Sequence, residues 1–356
     1  MKKIFENKIV YRTLILIISL YVLIAFVKLP PINGYERAMF SEMVYGTAWK
    51  PFVYRTLLPT SVRVISDVIP ENLHNTLTAK VEQSFVVSEI LEKFKWESEF
   101  ITEYLVAMIL MYLALIGFIY AFRKLFDEIY SSPLWFKNLI SIFLLLAFPS
   151  MFQPNYSNYI YDFPALFLFT LGLLFLKQKK WNYFLILFLV SCFNKETTIL
   201  LTMIFAIHFY NDDTVSRKCY LKFIAIQFVI LLLVKILLYF IFINNPGGFV
   251  EFHLIDRTYL LFNGYSLTTF VVLSIIFLAI FSRWNEKPKF LKDSLWIAVP
   301  LFVLTLFLGF FDELRDYYEV FPIIILLIAY NIAKILGVEL LSVYASLKKN
   351  IDQKLI

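Results

Sequence analysis

Of the 356 residues, 60% are hydrophobic and only 17% are charged, and the formal net charge is +6. An average soluble domain carries roughly 25% charged residues, so an ordinary soluble domain is excluded. Lys and Arg sit mainly at the ends of the apolar blocks, so the positive charge reads as orientation signals and contact with membrane lipid, not as a nucleic-acid surface.

The apolar blocks predict an all-α, polytopic membrane protein: about ten transmembrane helices in a single domain over 1–356, each crossing a ~30 Å hydrocarbon core. Span 1 covers 13–29. Lys2, Lys3, Lys8 and Arg12 precede it, which places the N-terminus in the cytoplasm. No small-residue cleavage site follows, so it reads as a retained span and not a signal peptide; Pro30-Pro31 ends it. Residues 30–100 form a long extracytoplasmic loop. Within it Val81, Phe85, Ile90, Leu91 and Phe94 recur at helical spacing among charged residues, the pattern of a helix lying in the membrane interface. The run 57–69 suggests a second interfacial helix after Pro59.

Span 2 covers 101–122 and stops at Arg123-Lys124. Span 3 covers 139–152 and span 4 covers 163–176, returning to Lys177, Lys179 and Lys180. Residues 183–210 are apolar except for Asn194-Lys195-Glu196. One long helix or a hairpin fits. The hairpin, with spans 182–193 and 197–210, keeps Arg217, Lys218, Lys222 and the basic loop 283–292 inside, and its short arms put the turn below the outer surface. Spans 223–243, 266–281, 294–310 and 320–336 follow, and a basic cytoplasmic tail completes a multi-pass cell-membrane topology.

On this topology the polar turns share the outer face. The first loop carries Tyr35-Glu36-Arg37, Glu42 and Lys50-Pro-Phe-Val-Tyr-Arg55. The second turn is Gln153 to Asp162, the third Asn194-Lys195-Glu196. The fourth holds Glu251, His253, Asp256 and Arg257, and the fifth Asp312, Glu313, Arg315, Asp316 and Glu319. Carboxylates beside Arg and Lys at the edge of lipid suit a phosphate-bearing lipid substrate. A carboxylate takes a proton from an attacking hydroxyl, and Arg or Lys stabilises charge on a departing phosphate.

Plainer explanations exist for several of these residues. Asp162 precedes Phe163-Pro164, and an N-cap carboxylate with proline in the first turn needs no chemistry. Asp312 can cap the last span, and Arg315 can snorkel to headgroups. Lys195-Glu196 is either a neutralised structural pair or, as ionisable residues at membrane depth, a functional one. Lys235, alone in an apolar span, snorkels or faces a cavity. Cys192, Cys219 and the three histidines show neither disulfide nor metal-ligand spacing, and no Gly-rich phosphate loop is present. No cofactor is expected.

Glu36-Arg37, Glu42-Met43, Gly46, Trp49 and Pro51 follow the order of a first-loop pattern. In this the chain resembles the GT-C fold glycosyltransferases that use polyprenyl-phosphate sugars, such as the protein O-mannosyltransferases and lipid A aminoarabinose transferases. The family's acidic pair is here Tyr35-Glu36. The resemblance implies an inverting transfer of sugar from a polyprenyl-phosphate donor to a glycan, lipid or protein acceptor of the cell envelope. Glu36 would be the first candidate base and Glu42 the second, with Arg55, Asp162, Lys195, Glu196, Arg257 and Arg315 around the substrate. Two rivals remain. A lipid-linked oligosaccharide polymerase or ligase should carry its large outer loop late in the chain, and a transporter should show paired broken helices in two related halves.

Overall fold

A computed structural model describes residues 2–28, 32–248, 250–254, 266–310 and 312–342. Arg257, Asp256 and the basic tail beyond 342 lie outside the described residues. The architecture is all-α. The chain begins with α1 (Lys2–Glu6) and α2 (Lys8–Lys28), and the segment that follows folds into α3 (Phe40–Tyr45), α4 (Leu57–Ser66), α5 (Glu71–Gln83) and α6 (Phe85–Phe94). Next come α7 (Ile101–Ile129), α8 (Leu134–Ala147), α9 (Asp162–Lys177), α10 (Trp181–Cys192), α11 (Ile199–Phe209) and α12 (Arg217–Ile241). The last described helices are α13 (Leu267–Phe281), α14 (Lys289–Leu295), α15 (Ala298–Leu308) and α16 (Phe321–Ile335). Strand is confined, among the described residues, to one antiparallel pairing of Tyr130–Ser131 with Leu341–Ser342.

Among the described residues, five helical stretches are long and apolar enough to cross a membrane: Lys8–Lys28, Ser98–Ile129, Leu134–Met151, Arg217–Ile241 and Lys289–Leu308. This is a membrane protein able to contact lipid, with half the expected number of full-length spans among the described residues. The remaining apolar blocks do form helices, shorter ones. The 12 residues of α10 reach about 18 Å at 1.5 Å per residue, well short of a ~30 Å core.

Packing explains why short helices suffice. α7 and α9 make the most extensive helix pair, and α9 is mostly buried, from Phe163 through Leu176. Small residues set the close approaches. A Cβ on Gly117 of α7 would lie 2.9 Å from the Phe167 ring of α9, and one on Gly172 of α9 would lie 2.6 Å from Leu201 of α11.

The 183–210 segment is two helices. Trp181 at the start of α10 meets Phe205 and Phe209 near the end of α11, with ring centroids 5.8 and 5.2 Å apart, so the chain turns back on itself at 193–198. The amphipathic segment expected over 81–94 is divided at Ser84, which takes an extended conformation between α5 and α6. α4 starts at Leu57, and Pro59 falls in its first turn, where a missing N–H costs nothing. α4 packs on α7, whereas α6 buries only Leu91 and leaves Phe85 and Val86 exposed.

Candidate functional site

Polar turns at the ends of these helices meet around one cavity. The turn Phe52–Tyr54 leads into α4, and the Leu57 N–H donates to Phe193 O at 3.0 Å, coupling the start of α4 to the turn after α10. The Asn194 amide donates to Tyr161 O at 3.1 Å, tying that turn to the one before α9. The cavity, about 200 Å³, is lined by the cations Arg55, Lys195 and Lys235 and the carboxylates Glu196, Glu251 and Asp316. Leu301, Leu304 and Leu308 of α15 form an apolar wall.

The charges pair across elements. Glu196 accepts from Lys235 of α12 at 2.9 Å through one oxygen and from Arg55 at 3.4 Å through the other. Arg55 also donates to the Tyr161 hydroxyl, its guanidinium 4.5 Å from the Tyr161 ring centroid. Lys195 pairs with Glu319 at 3.1 Å, and the Thr197 hydroxyl donates to the same carboxylate oxygen.

Behind the cavity lies a buried second layer. Arg315 donates through Nε and Nη2 to one oxygen of Glu313 at 2.8 and 2.6 Å and lies 3.4 Å from Asp162. Its guanidinium sits 4.3 Å from the Tyr159 ring centroid. Asp162 and Glu313 are both buried. Burial pushes the Glu313 carboxyl up to about 7 despite the guanidinium beside it. Asp316 lies 3.9 Å from Arg315, beyond hydrogen-bond reach, and faces the cavity. Its Oδ2 occupies the space a Cβ on Gly309 would need, at 2.6 Å.

The segment after α12 crosses the cavity rim. Lys50 N–H donates to Pro246 O at 2.9 Å, and the Asn245 amide to Gly46 O and Ala48 O, both at 2.9 Å. Arg37 pairs with Glu251 at 2.8 Å, and the His253 N–H reaches Phe307 O of α15 at 2.9 Å. Glu251 is thereby held over the cavity from both sides.

Of the residues expected from sequence, Arg55, Lys195 and Glu196 line the cavity, and Arg315 with Asp162 supports it from behind. Asp162 is the first residue of α9, with Tyr161 at the N-cap; its carboxylate accepts from the Tyr159 N–H at 3.0 Å and reaches Arg315, so it is not the helix cap the sequence offered. Asp312 takes the Tyr156 hydroxyl at 2.6 Å and does not sit at the start of α16. Glu36 and Glu42 are outside the lining. Glu36 is exposed, and Glu42 sits near Glu97, where burial and that neighbour raise its carboxyl pKa.

Lys235, Asp316 and Glu319 carry site roles the sequence did not assign. Lys235 had a signal, a lone lysine in an apolar span; Asp316 and Glu319 were visible only as members of an acidic turn. Among the described residues no group of His, Cys, Asp and Glu could hold a metal ion. No protein-family model, curated protein or solved structure matches the chain.

Proposed function

We propose that the protein is a multi-pass membrane glycosyltransferase of GT-C type, moving a sugar from a polyprenyl-phosphate donor to a cell-envelope acceptor on the extracytoplasmic face. The observation that carries this reading is one cavity joining cations, a loosely held carboxylate and an apolar wall. That combination suits an amphiphile with a phosphate at the head of a hydrocarbon chain.

In this mechanism the acceptor hydroxyl oxygen attacks the anomeric carbon while the bond from that carbon to the phosphate oxygen breaks, with inversion. The bonding electrons leave with the polyprenyl phosphate, whose charge the cavity cations stabilise. The hydroxyl proton passes to a carboxylate. Asp316 suits this role better than Glu196 or Glu251, which are tied to cations at 2.9 and 2.8 Å. It also replaces Glu36 and Glu42, which do not face the cavity.

The test is a donor assay on purified protein in lipid. Polyprenyl-phosphate sugars are supplied with a crude envelope acceptor, and release of polyprenyl phosphate is followed for wild type, Asp316→Asn, Glu36→Gln and Glu42→Gln. Loss of a general base costs roughly 10²–10⁴-fold, and that loss is expected for Asp316→Asn alone. Loss in Glu36→Gln or Glu42→Gln with Asp316→Asn active would return the base to the first loop. Absence of release across the donor panel would reject the transferase reading.

A further inference from the structure

We infer that Lys235 and Arg55 form an anion subsite in which the Glu196 carboxylate is a displaceable resident counter-ion, yielding its place to the phosphate of a lipid phosphate. The lipid identity rests on the transferase reading; the exchange itself does not.

Glu196 spans two cations from different elements, one oxygen to each, at 2.9 and 3.4 Å. A phosphate offers oxygens for the same two contacts with at least equal charge. The accessibility of the partners is unequal. The Glu196 side chain is 39% exposed, against 16% for Lys235 and 15% for Arg55, so the carboxylate can swing into the cavity while the cations stay. Arg55 is fixed independently of Glu196 by the Tyr161 hydroxyl and by stacking on the Tyr161 ring. Its guanidinium therefore keeps its orientation when the carboxylate leaves.

Lys195 and Arg315 cannot exchange partners this way. Lys195 and Glu319 are 7% and 2% exposed and locked further by Thr197. Arg315 is shut in with Glu313 and Asp162. Lys195, one of the residues sequence placed around the substrate, thereby stays with Glu319, and Lys235, which sequence left unassigned, takes the role. The leucines of α15 in the same cavity supply the surface for the first carbons of the lipid.

Removing Glu196, a conspicuous cavity residue, should therefore strengthen binding. Full-length protein in phosphatidylcholine nanodiscs would be titrated with farnesyl phosphate, farnesol and inorganic phosphate, for wild type, Glu196→Gln and Lys235→Met. Glu196→Gln should bind farnesyl phosphate about tenfold more tightly than wild type, a difference of ~1.4 kcal/mol, with farnesol unchanged. Lys235→Met should weaken farnesyl phosphate tenfold or more. Thermal unfolding with and without ligand checks that each variant is folded and reports binding a second time. If Glu196→Gln fails to fold, Glu196→Asp, one methylene too short to bridge both cations, carries the same expectation.

Weaker binding in Glu196→Gln, parallel to Lys235→Met, would overturn the exchange. Equal affinity for inorganic phosphate and farnesyl phosphate would overturn the lipid assignment. The expected pattern in a protein that transfers no sugar would sink the transferase reading and leave the subsite standing.

Discussion

Replacing Arg315 with methionine tests whether the layer behind the cavity is held by charge. The guanidinium serves Glu313 at 2.6 Å and Asp162 at 3.4 Å, and both carboxylates are almost wholly buried. Methionine fills similar volume, so the loss is electrostatic and not a cavity. Glu313, already raised to about 7, takes a proton at little cost. Burial already raises Asp162 above the ordinary aspartate pKa of ~3.9 even beside Arg315, so it takes its proton over less than about three units, at ~1.4 kcal/mol per unit. The penalty at pH 7 is therefore bounded at about 4 kcal/mol, at or below the roughly 3–5 kcal/mol seen when one partner of a buried pair is removed. The penalty should shrink by ~1.4 kcal/mol per unit as pH falls, because protonation of Asp162 then costs less. Unfolding in detergent at pH 7.5 and 5.5, for Arg315→Met, Asp162→Asn and the double variant, reads both effects. Asp162→Asn should recover most of the loss in the double variant. A penalty independent of pH, or no recovery, would refute the reasoning.

Other perturbations probe the remaining contacts. Gly309→Ala places a Cβ where Asp316 Oδ2 lies, 2.6 Å away; the carboxylate should be pushed aside, lowering sugar transfer at least tenfold while the unfolding midpoint hardly moves. In the wild type, Glu313 is raised to about 7 in the fold against ~4.3 unfolded. The folded state thus binds this proton first, and stability should rise as pH falls from about 7 toward the ordinary carboxylate range; Glu313→Gln should flatten that part of the midpoint-versus-pH curve. Gly172→Ala sets a methyl 2.6 Å from the buried Leu201 and should destabilise the protein by about 1–3 kcal/mol through overpacking, measured by thermal unfolding in detergent.

Much of this molecule was legible in the chain. The apolar blocks announce helices because only a helix satisfies its own backbone in an apolar environment. The break at Asn194-Lys195-Glu196 was readable because three polar residues interrupt an apolar run, and the chain does reverse there. The polar turns were recognised as candidate chemistry, and Arg55, Lys195 and Glu196 do share a cavity. Helix lengths were less legible. Hydropathy does not mark Ser84, where an amphipathic run divides, or Trp296 and Ile297 between α14 and α15.

What sequence by itself determined is the class of element and the inventory of charges: an all-α membrane protein with ionisable residues gathered at its turns. What only the tertiary structure decided is which charge meets which. Glu196 pairs with Lys235, 39 positions away, and Asp162 with Arg315, 153 positions away. Glu36 and Asp316 look alike as acids at the edge of apolar segments, yet one is exposed and the other faces the cavity. The reason is that hydrophobicity and backbone hydrogen bonding act locally and follow the order of residues. Ion pairing depends on distance in space, which is set when helices such as α7 and α9 pack and bring remote turns together.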